Sequence, residues 1–351
     1  MTRGSNVHFR IGNRLVGPGY PAYIIAEVGS NHGGNLETAK ALIDGCVWAG
    51  VNAVKFQSWT AEKLNNRFEL SEDGTLMPSK VIDILRRYEM PTEWHSILYE
   101  YCRDRSVDFL STPFDVDRAC LLRDIGVPAI KISSSDLNYV ELLKEVSGFG
   151  IPVLLSTGMA TLGEVETAVA ITRRSGNPVG LFHCTAAYPP AIEDANLRAI
   201  VTMTEKFDVP VGVSDHYLGH DTVIAAIALG ACIVEKHVTL SRDAGTPDAP
   251  FALEIEEFAA MVKAVREIES ALGDGDKYCR SSERGGLKYG RRGLHASRKL
   301  AAGEKLTREM LAVVRPNIGD FDAPALDKVL GTRILCDVPE GMPLRATDIA
   351  I

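Results

Sequence analysis

The chain predicts an α/β fold: a (β/α)8 TIM barrel followed by a small β-rich domain. Three observations carry that expectation. A short β-rich run with a polar end, followed by an amphipathic helical stretch, recurs eight times across residues 20–272. Lysines stand inside otherwise apolar runs, AVKFQ and AIKIS, where a buried parallel strand tolerates them only if they point into an active site. The texture changes after Leu272 to a stretch rich in Gly and charge and then to short β-like runs.

In order, residues 8–16 (HFRIGNRLV) read as a hairpin turning at Gly12-Asn13, a plug for the barrel floor. The expected strands are 23–28, 53–57, 108–111, 129–133, 153–156, 179–183, 211–214 and 232–238. The helices that follow them are 36–49, 92–105, 116–125, 140–146, 162–175, 197–207, 222–229 and 255–272, with Asp221 as the cap of the seventh. An open doubly wound sheet is the competitor, but it rarely carries polar chemistry at the end of every strand. The long connection 58–91 reads as a lid or substrate loop. The domain limits are therefore 1–272 for the catalytic barrel, 273–290 for a linker and 291–351 for the small domain. Two similar phrases in the last, LAAGEKLTREML and DVPEGMPLRATDI, suggest a weak internal repeat. So short a domain has a marginal core and is expected to dock on its own barrel or on that of a second subunit.

The 351 residues are 46% hydrophobic and 24% charged, with a net charge of −8, which argues against nucleic acid or a membrane surface as a main partner. Seven cysteines without CxxC spacing form neither a disulfide nor a zinc framework. The first residues lack an apolar signal core, and the longest apolar run, 223–234, is too short to span a bilayer, so the cytoplasm is the expected location.

The strand ends carry the chemistry. They read Glu27; Lys55 and Gln57; Ser111 and Thr112; Lys131, Ser133 and Ser134; Ser156 and Thr157; His183; Ser214, Asp215 and His216; Glu235 and His237. Each Ser or Thr alone is equally a strand-end turn former. Lysines together with hydroxyls make a phosphate cradle. His216 and His237 end consecutive strands joined by one crossover helix, so right-handed connection brings them side by side, placed to share a metal ion. The bland alternative is that each caps its own strand. A metal, an anion pocket and the carboxylates Glu27 and Glu235 suggest reaction of a phosphorylated small molecule with a carbonyl.

AEVGSNHGG, KFQ, FLSTPFD, KISSSDL, LLSTGMA, HCTAAYP, GVSDHYLG, EKHVTL and PDAPFALE, followed by RRGLHA, GEKLT and RPNIGDF, span nearly the whole chain. In this order they resemble the bacterial N-acetylneuraminate (sialic acid) synthase family, which includes the legionaminate and pseudaminate synthases. The resemblance implies a barrel transferase with a C-terminal antifreeze-like (SAF) domain, a homodimer that exchanges that domain, and phosphoenolpyruvate plus an N-acyl amino sugar as substrates. It implies that His216 and His237 bind a divalent ion, Mn2+ or Mg2+. Lys55, Thr112, Lys131, Ser134, Ser156 and Ser214 match the phosphoenolpyruvate site, with Gln57 beside it. Glu27 matches a catalytic carboxylate, and the expected catalytic set is Glu27, Lys55, Lys131 and Glu235. Tyr188, Asp248 and Arg315 match sugar contacts, the arginine coming from the other subunit. Ala186, Tyr217 and Ala252 stand where sialic acid synthases often have Asn, Thr and Ser. The alternatives are another 3-deoxy-sugar-acid synthase or aldolase on the same barrel, and a non-catalytic sugar-binding homologue.

Overall fold

The structure, a computed structural model, describes residues 7–350. Residues 1–6 and Ile351, which the expected domain limits include, lie outside the described residues. The described residues form two compact units that divide between Gly273 and Asp274. No helix among the described residues is long and apolar enough to cross a membrane.

The first unit is a closed parallel barrel. Its strands are β1 Tyr23–Glu27, β2 Ala53–Ser58, β3 Asp108–Pro113, β4 Ile130–Ile132, β5 Val153–Ser156, β6 Val179–Cys184, β7 Val211–Asp215 and β8 Ile233–Thr239. Each pairs in parallel with the next, and β8 pairs with both β7 and β1, which closes the ring. The register decides which polar groups meet. Lys55 lies opposite Glu27, Gln57 opposite Thr112, Ser214 opposite Glu235 and His237 opposite Glu27.

The helices are α1 Leu36–Ala49, α2 Thr92–Asp104, α3 Val116–Ile125, α4 Val140–Ser147, α5 Leu162–Arg173, α6 Ala199–Phe207, α7 Asp221–Ala228 and α8 Ile255–Leu272. Local chemistry starts several of them. Asn35 accepts from the amides of Glu37 and Thr38 at α1, and Thr161 and Glu164 form a reciprocal capping box at α5; such caps contribute about 1 kcal/mol each. Asp221 is a correction: it is the first helical residue of α7, and His220 takes the cap position. Its carboxylate therefore complements the helix dipole from the first turn.

The N-terminal hairpin forms as expected, with Phe9–Ile11 paired to Arg14–Val16. Phe9, Ile11 and Val16 pack with Tyr23, Ile25, Leu110, Leu154 and Phe182 in the barrel floor. Burying such a side chain contributes roughly 1.5–3 kcal/mol. Gly180 makes room for it, because a Cβ there would meet Phe9 Cζ at 3.1 Å and Leu154 Cδ2 at 2.9 Å.

The connection between β2 and α2 is structured rather than a bare loop. It holds the helix Ala61–Leu64, the hairpin Phe68–Leu70 and Leu76–Pro78, and the helix Lys80–Tyr88. The indole of Trp59 donates to the Leu85 carbonyl at 3.1 Å, which ties the second helix to the end of β2.

The second unit has its own core of Leu294, Leu300, Leu306, Leu311, Val329, Ile334, Leu344 and Ile349. The two similar phrases take similar forms, each a turn with a left-handed glycine (Gly303, Gly341) followed by a 3-10 turn, Arg308–Met310 or Ala346–Asp348. They meet through an antiparallel bridge between Leu300 and Val338. Of the stretch 273–290 expected as a linker, all but Gly273 falls in the second compact unit, and it carries the helix Arg284–Tyr289. Upstream of that helix Arg280 closes a local ion pair with Asp274 at 2.7 Å.

Candidate active site

Four charged side chains converge inside the barrel. Lys55 Nζ lies 2.6 Å from Glu27 Oε2 and 3.7 Å from Glu235 Oε1, and Lys131 Nζ lies 3.7 Å from the same Glu235 oxygen. Strand alternation puts them there: Glu27 ends β1, Lys55 sits mid-β2, Lys131 is the centre of β4, and Glu235 faces inward from β8. Hydroxyls complete the set. Lys55 donates to Thr112 Oγ1 at 3.0 Å, Lys131 donates to Ser156 Oγ at 2.5 Å, and Ser214 donates to Glu235 Oε1 at 3.1 Å. Ser134 Oγ accepts the Gly158 amide at 3.0 Å at the rim. Two lysines face two carboxyl groups, so each buried charge has an opposite neighbour within 4 Å.

Burial acts on the two carboxylates alike, and their neighbours separate them. Burial, with the Glu235 charge adding and Lys55 opposing, pushes the Glu27 carboxyl up to about 7. For Glu235 burial is outweighed by Lys131 and Lys55, which hold it below the usual carboxylate range. Burial lowers the Lys131 ammonium. For Lys55 burial is outweighed by Glu235 and Glu27, which raise it. Two neighbouring carboxyls with divergent proton affinities are suited to different roles in one reaction.

The imidazoles of His216 and His237 stand side by side, ring centroids 5.6 Å apart. Tyr188 covers His216 at 4.3 Å and Phe251 packs against His237 at 5.1 Å. Burial lowers the proton affinity of both rings, so both are neutral and keep a lone pair. His216 Nδ1 faces the Thr185 carbonyl at 3.0 Å, which fixes the tautomer and leaves Nε2 for a ligand. His237 Nδ1 is buried with no hydrogen-bond partner, 3.9 Å from Asp248 Oδ2. An orphaned ring nitrogen beside a second neutral imidazole with its Nε2 open fits a divalent cation. Among the described residues no cluster of three or more His, Cys, Asp or Glu is arranged for a metal. An ion here would be held by His216 and His237.

Asp248 is held at the rim by Ser30, whose amide and hydroxyl donate to Oδ2 at 2.7 and 2.9 Å. Gly29 makes that approach possible: its φ is +52°, and a Cβ would lie 2.3 Å from the same oxygen. The whole assembly lines one cavity of about 510 Å3, which includes Gln57, Tyr188 and Ala186. Every expected site residue of the barrel borders it: Glu27, Lys55, Gln57, Thr112, Lys131, Ser134, Ser156, Tyr188, Ser214, His216, Glu235, His237 and Asp248. Arg315 lies in the second unit and is exposed.

Several strand-end residues face elsewhere. The hydroxyl of Ser111 donates to the Phe56 carbonyl at 3.1 Å, that of Thr157 donates to the Phe182 carbonyl at 2.8 Å, and His183 Nε2 is engaged by the Ala195 carbonyl at 2.7 Å. The sequence reading did not place Ser30, nor the cover that Leu64, Ile84, Leu85 and Tyr88 bring from the β2–α2 connection. The spacing of Ile84, Leu85 and Tyr88 is helical and was a legible signal for one apolar face. Of the three unusual sugar-side residues, Ala186 borders the cavity, while Tyr217 and Ala252 are buried away from it.

A closed barrel with a buried lysine–carboxylate quartet and two neutral imidazoles lining one cavity defines a (β/α)8-barrel enzyme. The chain belongs to the NeuB family, whose model matches residues 42–277, and residues 291–350 match the SAF domain. It is 32% identical to the N,N'-diacetyllegionaminic acid synthase of Legionella pneumophila, over 93% of this chain and 94% of that one. It is 34% identical to the pseudaminic acid synthase of Campylobacter jejuni strain 81-176, over 93% and 96%. Among solved structures it resembles the N-acetylneuraminic acid (sialic acid) synthetase of Leptospira borgpetersenii in complex with citrate. That match has a TM-score of 0.75 and 34% identity and covers 82% of this chain and 97% of that one.

Proposed function

We propose that this enzyme is a nonulosonic acid synthase that condenses phosphoenolpyruvate with the open-chain aldehyde of an N-acyl amino sugar. The observation that carries the reading is the pair of buried lysines, Lys55 and Lys131, meeting at Glu235 beside two neutral imidazoles in one cavity. Phosphoenolpyruvate brings a phosphate and a carboxylate. An ammonium about 4 Å from such an oxygen gains about 4 kcal/mol at an effective dielectric near 20. The Thr112, Ser134, Ser156 and Ser214 hydroxyls supply neutral donors around it. The C2=C3 π pair of phosphoenolpyruvate forms a C–C bond to the aldehyde carbon as the C=O π bond breaks, and the aldehyde oxygen ends with a proton that the water adding at C2 gives up. Water adds at C2, and the C2–O bond to phosphate breaks, releasing inorganic phosphate and a 2-keto-3-deoxy acid of nine carbons. Glu27, whose proton affinity is matched to neutral pH, takes the proton of that water. Glu235, held ionised, keeps the two lysines apart and charged. His216 and His237 would hold a divalent ion, manganese or magnesium, whose Lewis acidity polarises the aldehyde oxygen. Tyr188 and Asp248 border the sugar end, and Arg315 of a second chain completes it in a homodimer.

The test is phosphate release from phosphoenolpyruvate with a panel of N-acyl amino sugars, with and without chelator. Release that needs both substrates, stops in excess chelator and returns with manganese is the expected result. Release without sugar, or none with any sugar, removes the synthase reading; undiminished turnover by protein shown to be metal-free removes the metal.

A further inference from the structure

Between the inward-facing Glu235 and His237, β8 carries a lysine that does not border the cavity. Lys236 is wholly buried on the outer face of the strand, where apolar residues are the rule. Its ammonium pairs with Asp215 Oδ2 and donates to the Tyr217 carbonyl at 2.5 Å. The other oxygen of Asp215 accepts from Thr222 Oγ1 on α7 at 2.6 Å. Asp215 and Lys236 are register partners on β7 and β8. One side chain thus grips the residue before His216 and the residue after it, while its own chain neighbours are Glu235 and His237. A buried ion pair of this kind adds little stability over a well-packed apolar pair. What it does supply is direction: the chain leaving β7 is tied at two points to the strand that carries the second imidazole.

We propose that Lys236 is a positioning residue for the imidazole pair, setting through Asp215 and the Tyr217 carbonyl where His216 projects relative to His237, and hence the affinity for a divalent cation. The inference rests on the metal reading given above. Partners that orient metal ligands are typically worth about ten- to a hundredfold in affinity. Lys236 acts on the side of the strand away from Lys55 and Lys131, so phosphoenolpyruvate binding is set independently of it.

The experiment measures manganese binding to metal-stripped protein by titration calorimetry for the wild type, Lys236→Met, and Lys236→Met with Asp215→Asn. The double variant removes the carboxylate that the single change would leave buried and unpaired. Near-UV circular dichroism reports on folding, and phosphoenolpyruvate binding without metal is measured alongside. The expected result is a folded double variant whose manganese Kd rises about ten- to a hundredfold. Its phosphoenolpyruvate Kd should stay within about threefold of wild type, as for an independent site. A folded variant that binds manganese like the wild type overturns this inference alone. A wild type that binds no manganese overturns it together with the metal reading. If neither Lys236 variant folds, Thr222→Val, which removes one hydroxyl from Asp215, decides: a few-fold rise in Kd is expected, and an unchanged Kd overturns the proposal.

Discussion

Glu27 and Glu235 occupy one cavity, and the lysines around them decide which keeps its proton. Burial raises Glu27 to about 7, while Lys131 and Lys55 overcome burial and hold Glu235 low. An acid so raised is protonated below neutrality and becomes a base above it. If Glu27 takes the proton of water, kcat/KM rises with pH through a limb near 7, and Glu27→Gln lowers the rate and removes that limb. A limb unchanged in the variant assigns the titration elsewhere. Lys131 is tested by truncation. On the proposed reading Lys131→Ala removes a phosphate contact and leaves Glu235 with one cation, so kcat/KM for phosphoenolpyruvate should fall about a hundredfold or more. Unchanged kinetics would place the anion away from β4.

At the scale of elements, β8 shows how one strand divides its duties: all seven residues are buried, Glu235 and His237 face the cavity, and Lys236 braces from behind. Helix α2 is secured by a different buried polar device. His95 Nε2 meets Ser58 Oγ at 2.8 Å, and its Nδ1 faces the Pro91 and Thr92 carbonyls at 3.1 Å, joining α2 to the end of β2. Burial, aided by Arg118, lowers His95 to about 4, and burial lowers His32 to about 4. The sign follows from linkage. A histidine depressed in the folded state binds its proton only after the unfolded chain does. Its contribution is therefore present above about 6.5 and is lost as pH falls toward 4. Each ring accounts for roughly 3 kcal/mol of that loss. Urea midpoints should drop between pH 6.5 and 4. His95→Gln should be less stable at neutral pH yet lose less on acidification; an equally steep loss would remove His95 as a cause.

At the scale of the molecule, the barrel brings every expected first-unit site residue to one cavity, while Arg315 belongs to the other compact unit. The shared-site reading is tested by mixing Arg315→Ala and Lys131→Ala proteins under conditions of subunit exchange. A mixed dimer then has one barrel with intact Lys131 served by an intact Arg315 from the other chain. Activity should recover toward about half of wild type per mixed dimer, since one of two sites is whole. No recovery in any mixture would assign each arginine to its own chain.

The sequence by itself determined the order of eight strand–helix units, the floor hairpin and the limits of α1, α3 and α8, because these follow from local patterning and capping. It also singled out Lys55 and Lys131, since a lysine in an apolar strand has few places to go. Tertiary structure alone decided which strand-end groups meet. Ser111, Thr157 and His183 looked equivalent to Thr112, Ser156 and His216, yet none of the three borders the cavity that the other three line. Strand alternation fades at the strand ends, and the direction of each side chain there depends on the register and closure of the whole ring. The grip of Lys236 on Asp215 and Tyr217, the hold of Ser30 on Asp248 and the ordered β2–α2 cover have the same origin. The first two join residues far apart in sequence, and the cover folds by contacts among its own short elements, such as Trp59 with Leu85, that no local pattern announces.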